Sequence, residues 1–472
     1  MAMGHNRGGQ DELFVAHTKL RSAGHPFYDA LDRLLRDNGF DPFVEELCEG
    51  FYTEAVGRPS LPPGVYFRCL LIGYFEGIGS ERGIAWRIAD SLSLRSFLGL
   101  GLEKRPPDHS TISRTRRRLD VETHERVFTH ILGLIATRGL LRGKTLGIDA
   151  TTLEANAALR SIVRRDNGQA YNDFLKDLAA AEGLENPTRE ELAKLDRKRP
   201  KKGSNKVWEH PLDPDAQIMK MKRGQTHLAH KHEQAVDLET GAIVAVTVHG
   251  GAAGDTKTID ATLTSADANL AEVRQEALPE TREKLAERVE EVVADKGYHS
   301  NDVLCDLEEG GVRSYIPEPA RGRRRWKGKK AERDAVARNR QRTKRKKSKA
   351  LQRRRSELVE RPFAHMHDTG DMRRVHTRGH ENALKRLLLH AAGFNLSLLM
   401  RALYGVGKPR ALQGLRAALR AVLVAMLTLL WRLCGARASR GPRKDLDLRR
   451  ASAWSRCVPH RGFWPVAFAT GC

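Results

Sequence analysis

The sequence predicts an α/β protein in which a mixed-sheet domain follows an all-α N-terminal domain. Apolar residues recur at helical spacing from about residue 26 to residue 138, and two proline pairs interrupt that pattern. Short apolar runs typical of strands begin near residue 144 and alternate with helical segments to about residue 404. The order of strand, insertion, strand, strand, helix, strand, helix, strand and helix favours a mixed sheet with an antiparallel edge hairpin.

The charge of the chain indicates a polyanionic partner. The 472 residues carry a formal net charge of +23 at pH 7, and the isoelectric point is about 10.0. More than half of the residues from 321 to 355 are Lys or Arg. A run this basic is typical either of a disordered arm or of a helix laid along phosphates, and both interpretations predict binding to a nucleic acid.

The cysteines and the apolar runs favour a cytoplasmic protein without a membrane segment. The 6 cysteines are scattered and form no CxxC motif, which is typical of reduced thiols. The first residues, MAMGHNRGGQDELF, lack the apolar core of a signal peptide. The longest apolar run, Ala421 to Trp431, is too short to span a bilayer.

Changes in composition divide the chain into segments. Polar and charged residues after the first strand predict a partly helical or disordered insertion, and the sequence beyond residue 435 loses periodicity. The predicted segments are a flexible tail (1–24), a helical N-terminal domain (25–138), a mixed-sheet domain (139–404) with a charged insertion (157–222) and a basic segment (321–355), and a C-terminal helix with a disordered tail (405–472).

The segment PPDHSTISRTRRRL, residues 106–119, predicts a helix rich in arginine. The prolines followed by Asp108 and two hydroxyl residues form a helix-start signal. The basic side chains on this helix suit contacts with DNA, although a solvated basic face explains them equally well. These side chains are Arg114, Arg116, Arg117 and Arg118.

Two aspartates follow apolar runs typical of strands. Asp149 lies in KTLGIDATTLEA and Asp295 in VVADKGYHS. Neighbouring strands of a mixed sheet would place the two carboxylates together, where their repulsion favours a cation such as Mg²⁺. A two-metal site for phosphodiester chemistry usually needs a third acid, and the candidates are Glu357, Glu360 and Glu381. The alternative for Asp295 is a cap of the next helix.

Other polar residues near these runs have weaker functional signals. His227, His230 and His232 suggest a zinc site, but on a strand His227 lies on the face opposite the other two, and no cysteine or acid clusters with them in the sequence. Lys296, Tyr298 and His299 follow Asp295 and are either contacts to the DNA backbone or turn residues packed on the next helix.

Four colinear segments resemble the DDE transposases of bacterial insertion sequences. They are GIDATTLEANA, HLAHKHEQAVDLETGAIVAVT, VADKGYHS and VERPFAHMHDTGDMRRVHTRGHENALKRLLLHAAGFNL. The stretch from GFDPFVEELCEG to SLRSFLGL also resembles the helical domain that precedes the catalytic domain in that family. The resemblance covers roughly residues 25–405. It implies a ribonuclease-H-like fold with Asp149 on the first strand, Asp295 after the fourth and Glu360 on a late helix.

The segment around Glu360 departs from the family pattern. The family often has Tyr seven residues before this Glu, Arg four before it and Lys seven after it, where this chain has Arg353, Ser356 and His367. Arg353 and His367 lie about two turns from Glu360, so they would share its helix face and could bind phosphates. We expect the neighbouring Arg355 to point elsewhere on the helix.

The resemblance implies an enzyme that cuts and joins DNA. Asp149, Asp295 and Glu360 would bind two Mg²⁺ ions, for which Mn²⁺ may substitute, and the protein would act on transposon ends and target DNA as a homodimer. The basic segment, including Arg345, Lys346 and Lys347, would bind the DNA backbone. Two alternatives stay open: a metal-dependent nuclease without strand transfer, and a non-catalytic DNA-binding product of a decayed element.

Overall fold

A computed structural model describes most of the chain. The described residues are 24–53, 59–184, 186–199, 203–221, 224–320, 322, 324–410 and 426. The predicted flexible tail over residues 1–24 and the predicted C-terminal helix and tail over residues 405–472 therefore lie almost wholly outside the described residues.

The N-terminal segment is helical, as its periodicity predicts. Its helices begin at ordinary capping residues: the side chains of Ser80, Ser91, Asp108 and Asp120 each accept a hydrogen bond from a backbone N–H of the first turn. The helices are α1 (Pro26–Asp37), α2 (Phe40–Cys48), α3 (Pro63–Glu76), α4 (Glu81–Ala89), α5 (Leu92–Phe97), α6 (His109–Arg118) and α7 (Val121–Thr137).

Helix α3 lies at the centre of this helical layer. Its residues from Pro63 to Phe75 are all buried, which explains why its sequence is apolar on every side. The one charged residue among them, Arg68, is paired with Asp32 and Asp41, each at 2.7 Å. These ion pairs satisfy a guanidinium that is 1% exposed.

The main sheet has the mixed topology that the order of the segments predicts. Strand β1 is central; it pairs antiparallel with β5 and parallel with β7, β8 extends the parallel side, and β6 and β4 both pair antiparallel with β5. This order is consistent with a ribonuclease-H-like fold. The strands are β1 (Thr145–Glu154), β4 (Gln217–Lys220), β5 (Thr226–Asp237), β6 (Ile243–Gly250), β7 (Glu291–Val293) and β8 (Arg313–Tyr315).

The residues between β1 and β5 form a small subdomain with its own core. They include β2 (Val163–Arg164), α8 (Tyr171–Ala181), α9 (Arg189–Lys198) and β3 (Trp208–Glu209), while β4 joins the main sheet. Trp208 is the centre of this core, and the rings of Tyr171 and Phe174 pack on it with centroids 4.9 and 5.3 Å away. The described part of the predicted insertion is therefore folded and partly helical.

The segment after β6 supplies the helices that cover the sheet. The segment LPETREKLAERVE, residues 278–290, has the composition of a charged helix, and this prediction from the sequence is wrong, since only its first residues are helical, in α11 (Pro279–Arg282). The basic segment forms two helices, α13 and α14, and is not an extended arm. The helices are α10 (Asp255–Glu276), α11 (Pro279–Arg282), α12 (Asn301–Glu309), α13 (Lys330–Thr343), α14 (Lys346–Ala364) and α15 (His380–Tyr404).

Helix α15 connects the helical layer to the sheet. It packs on α3, α7 and β6 within one compact unit, residues 1–412, so the two predicted domains share a core. Of the helices in the described part of the chain, α15 is the one that is long and apolar enough to cross a membrane, and 72% of its most apolar window is buried inside the protein. This burial identifies α15 as a core helix and gives no indication of a membrane.

Candidate active site

Asp149 lies inside β1, and Asp295 lies two residues beyond the end of β7, the strand that pairs parallel with β1. Thr145, Leu146 and Gly147 of β1 pair with residues 291–293 of β7. Each aspartate follows this paired segment by two residues, and the charge of Asp295 acts on Asp149, so the two carboxylates are neighbours. Strand β1 does not end at Asp149 as predicted; it continues to Glu154 because its hydrogen bonds to β5 continue.

The carboxylate of Asp149 is largely buried and has a cationic partner. Burial raises the pKa of Asp149, the Arg355 guanidinium opposes that rise, and the charge of Asp295 adds to it. Arg355 donates to Asp149 Oδ2 at 2.8 Å, and the N–H of Ala150 donates to Oδ1 at 2.8 Å. The site therefore holds two neighbouring acids with one guanidinium compensating their charge.

Arg355 points away from the Glu360 face of its helix, as predicted, but its own face is the one that packs on the sheet. Helix α14 places Arg355, Val359 and Gln352 toward the sheet: Val359 is fully buried, and Gln352 donates to the carbonyl oxygen of Ala294 at 3.1 Å. These residues are three or four positions apart and share one helix face. Arg355 lies on that face, so it reaches Asp149 from α14.

Glu360 lies on the same helix but does not reach the two aspartates. Its side chain is exposed on the flank of α14. Among the residues that the structure describes, no three His, Cys, Asp or Glu side chains are grouped to hold a metal ion. The aspartate pair fits a hard divalent ion, because such ions prefer carboxylate oxygens as ligands. Without an ion, the Arg355 guanidinium compensates the negative charge of Asp149. The role of Glu360 as third ligand stays a prediction.

The other two candidate acids have local partners. Glu357 pairs with Arg361 of the same helix at 2.8 Å. Glu381 lies in the first turn of α15 and pairs with Lys385, whose side chain is 3% exposed. A carboxylate in a first turn is also favoured by the helix dipole. Each of the two therefore has an adequate structural explanation.

The turn after Asp295 buries two residues that the sequence suggested as DNA contacts: Tyr298 is 1% exposed and His299 is 2% exposed, so both pack inside the protein. Asp295 accepts a hydrogen bond from the N–H of Gly297 at 2.7 Å, and a single 3₁₀ turn covers Lys296–Tyr298. The buried hydroxyl of Tyr298 donates to Glu233 at 2.8 Å. Burial and the Glu233 charge raise the pKa of Tyr298, so the hydroxyl stays protonated as a donor. The continuous polar run HKHEQ in HLAHKHEQAVD places polar residues on both faces of the strand and is the sequence signal for this polar cluster.

Helix α6 presents only part of its predicted basic surface. Arg114 and Arg117 are exposed. Arg116 is 9% exposed, and it donates to Glu81 at 2.6 Å and to Asn382 of α15 at 3.2 Å. This burial corrects the prediction that Arg116 contacts DNA: its guanidinium ties α4 to α15.

Two further predicted DNA contacts differ in exposure. Arg118 is partly buried, with its guanidinium carbon 4.9 Å from the centroid of the Tyr52 ring, so packing on the aromatic ring explains it. Lys296 is exposed beside Asp295. Of these two, Lys296 has the position of a backbone contact near the carboxylates.

The basic residues of α14 are mostly exposed. Arg345, Lys346 and Arg353 are exposed along the helix and its N-terminus. Lys347 is also exposed, but it is paired with Glu291, a carboxylate that is 2% exposed. Lys347 therefore stabilises the start of β7 besides adding to the basic surface.

His367 is not the cation that its predicted phosphate contact requires. Burial lowers its pKa to about 4, so the ring is neutral at pH 7. Its plane lies parallel to that of buried His232, with centroids 6.0 Å apart. Together with Thr151 and Lys231 it lines a cavity of about 580 Å³ next to Asp149. His367 thus borders the space beside the aspartates without contributing positive charge.

The comparisons with known proteins identify the family of the chain and do not test the site residues. Residues 15–118 match a family model described as a transposase domain (DUF772), and residues 189–396 match one described as a transposase DDE domain. The comparison with curated proteins found no match. Such families act on DNA, and DDE domains carry out the nuclease and transposition chemistry, generally with divalent metals. The two matches follow each other in the order that the sequence predicts, and they confirm that the chain belongs to the DDE transposases of insertion sequences.

Proposed function

We propose that this transposase binds the ends of its insertion sequence, cleaves them with Mg²⁺ or Mn²⁺, and joins the freed ends to target DNA. The observation that supports this proposal best is the pair of neighbouring aspartates just past the parallel pairing of β1 and β7, with Arg355 bound to Asp149. Both aspartates are partly exposed, and neither belongs to the hydrophobic core.

The residues of the site have separate tasks in this proposal. Asp149 and Asp295 would hold the divalent ions. Glu360, which does not reach the aspartates in this structure, would join them as the third ligand only after a shift of α14. Such ions would supply charge that activates a water or 3′-hydroxyl and that stabilises the leaving oxygen of a phosphodiester. Arg355 supplies a fork of N–H donors at the same point, which suits a phosphate oxygen of the bound strand.

The exposed cations provide the affinity for DNA. Arg114 and Arg117 of α6 project from the helical layer, and the exposed residues of α14 add a second basic surface. Such contacts to phosphates are independent of sequence and weaken with salt. Recognition of two ends by one complex requires two copies of the chain on DNA, in the cytoplasm where the element resides.

A cleavage assay with matched variants tests the chemistry. The substrate carries the ends of the element and flanking DNA, with Mg²⁺ or Mn²⁺ present. Asp149→Asn, Asp295→Asn and Glu360→Gln should each abolish cleavage and strand transfer while leaving DNA binding near normal, since each swap keeps the shape and removes a charge. Glu381→Gln is the control and should keep substantial activity. The reverse result for the two glutamates would move the third ligand to Glu381.

The same assay separates the two alternatives. Cleavage by the wild-type protein without joining on a paired-end substrate would identify a nuclease that lacks strand transfer. Binding without cleavage under any metal would identify a non-catalytic DNA-binding protein. Cleavage followed by joining supports the proposal.

A further inference from the structure

A buried carboxylate lies behind the active-site turn. Glu233 of β5 is fully buried, and its two oxygens accept hydrogen bonds from Thr258 at 2.7 Å, Thr262 at 2.5 Å and Tyr298 at 2.8 Å. The ammonium of Lys231 lies 3.5 Å away. A charge this deeply buried is stable only with such partners, and the cluster is therefore a rigid anchor.

The two aspartates differ in how the fold holds them. Asp149 lies inside β1, where strand pairing with Gln234 of β5 fixes its backbone. Asp295 lies two residues beyond Val293, the last residue of β7, so no strand pairing fixes its backbone. The direction of its carboxylate depends on the turn that follows.

Tyr298 joins that turn to the anchor. Its backbone N–H donates to the carbonyl oxygen of Asp295 at 3.3 Å, and its side chain is 1% exposed with the hydroxyl on Glu233. One residue therefore contacts both the backbone of Asp295 and the buried carboxylate.

A second contact restricts the turn from the side of α10. A Cβ on Gly297 would lie 2.5 Å from Asp255 Oδ2 and 2.9 Å from Asp295 Oδ1. Asp255 is in turn held by Lys231 at 2.7 Å. A side chain at position 297 would therefore displace the Asp255 or the Asp295 carboxylate, or move the turn.

We propose that Tyr298 is a positioning residue for the metal site: through Glu233 it fixes the turn that aims the Asp295 carboxylate. The inference rests on the proposed role of Asp295 as a metal ligand. Partners that orient a ligand typically change metal affinity by roughly 10–100-fold when they are removed. Loss of one hydroxyl should act at the lower end of that range.

The test compares Tyr298→Phe with Tyr315→Phe in the full-length protein without DNA. Tyr315 is also buried, and its hydroxyl also donates to a buried carboxylate, Glu291 at 3.1 Å. Glu291 precedes Asp295 by four residues, roughly 13 Å along an extended strand. Mn²⁺ binding is measured by electron paramagnetic resonance of the free ion, and stability by thermal unfolding. We expect a Kd about tenfold weaker for Tyr298→Phe and an unchanged Kd for Tyr315→Phe, with similar losses in Tm.

Equal Kd values for the two variants would overturn the inference, because a lost hydroxyl would then affect stability alone. Gly297→Ala is the second variant; the position is exposed, so the protein should fold, and displacement of the turn should weaken Mn²⁺ binding as well. Unchanged binding in this variant would also contradict the inference. Asp295→Asn distinguishes failure of the metal site from failure of the role of Tyr298. Wild-type Mn²⁺ affinity in Asp295→Asn would refute the metal site itself. Lost affinity in Asp295→Asn, together with equal Kd values for Tyr298→Phe and Tyr315→Phe, would refute only the role of Tyr298.

Discussion

Replacing Arg355 by Gln should destabilise the metal-free protein and have much less effect on the metal-loaded protein. Arg355 compensates the largely buried charge of Asp149 at 2.8 Å. A divalent ion on Asp149 would supply the same compensation. The two cations therefore compete for one carboxylate, and removal of the guanidinium matters most when no ion is present.

The exposure of the Arg355–Asp149 ion pair determines how much stability its loss costs. Breaking a fully buried pair costs about 3–5 kcal/mol, and exposed pairs contribute about 0–1 kcal/mol. The side chains of Arg355 and Asp149 are 11% and 24% exposed, between those limits. We expect a loss of about 2 kcal/mol in the free energy of unfolding, which corresponds to a fall in Tm of about 2 °C for a unit of this size.

Thermal unfolding with and without saturating Mn²⁺ measures this effect. The difference in Tm between wild type and Arg355→Gln should shrink toward zero when Mn²⁺ is added. Arg354→Gln is the control; Arg354 is exposed on the neighbouring face of α14 and donates only to the carbonyl oxygen of Glu239 at 3.3 Å, so its Tm should stay near that of wild type. A loss in Arg355→Gln that is the same in both conditions would refute competition between Arg355 and the metal.

Three further predictions concern DNA binding and stability. Replacing the Lys and Arg residues of 344–349 by Gln should weaken binding to all DNA sequences alike and flatten its salt dependence; an unchanged salt slope would exclude phosphate contacts there. Arg116→Gln should lower Tm because it leaves Glu81 and Asn382 without their partner. Arg117→Gln should lower only the affinity for DNA. If the two variants changed Tm and DNA affinity equally, Arg116 would not be the structural residue and Arg117 the DNA contact. His124 accepts from the Tyr66 hydroxyl, and burial lowers its pKa to about 3. Below pH 6.5 His124 binds a proton in the unfolded chain but not in the folded chain, so this residue should lower the free energy of unfolding by about 2 kcal/mol from pH 6.5 to pH 5. Urea titrations at the two pH values should show that His124→Asn removes this contribution.

The sequence predicts the fold well because its signals are local. Apolar runs mark the strands, and helical periodicity marks the layer before them. The sequence predicts the end of β1 too early for a physical reason. The apolar run shows only where the strand is buried on both faces. Beyond it, β-branched Thr151 and Thr152 continue the pairing with β5, although one side of the strand faces the cavity there.

The partners of the polar residues could not be predicted in the same way. Arg355 and Asp149 are 206 residues apart, and Tyr298 and Glu233 are 65 apart. Periodicity assigns a side chain to a face of its own helix or strand, but it does not identify the element that packs on that face. The burial of Arg116 escaped prediction for the same reason, since its partner Asn382 lies 266 residues away.

Helix α15 also has a consequence for synthesis of the chain. Its residues from Leu387 to Leu396 cover apolar surface of α3 and α7, which are made long before it. A nascent chain must therefore keep this surface uncovered until residue 404 has left the ribosome. A gene copy truncated before α15 would encode a product with exposed apolar helices, prone to aggregation and proteolysis, and would not release a separate DNA-binding fragment to compete with the intact protein.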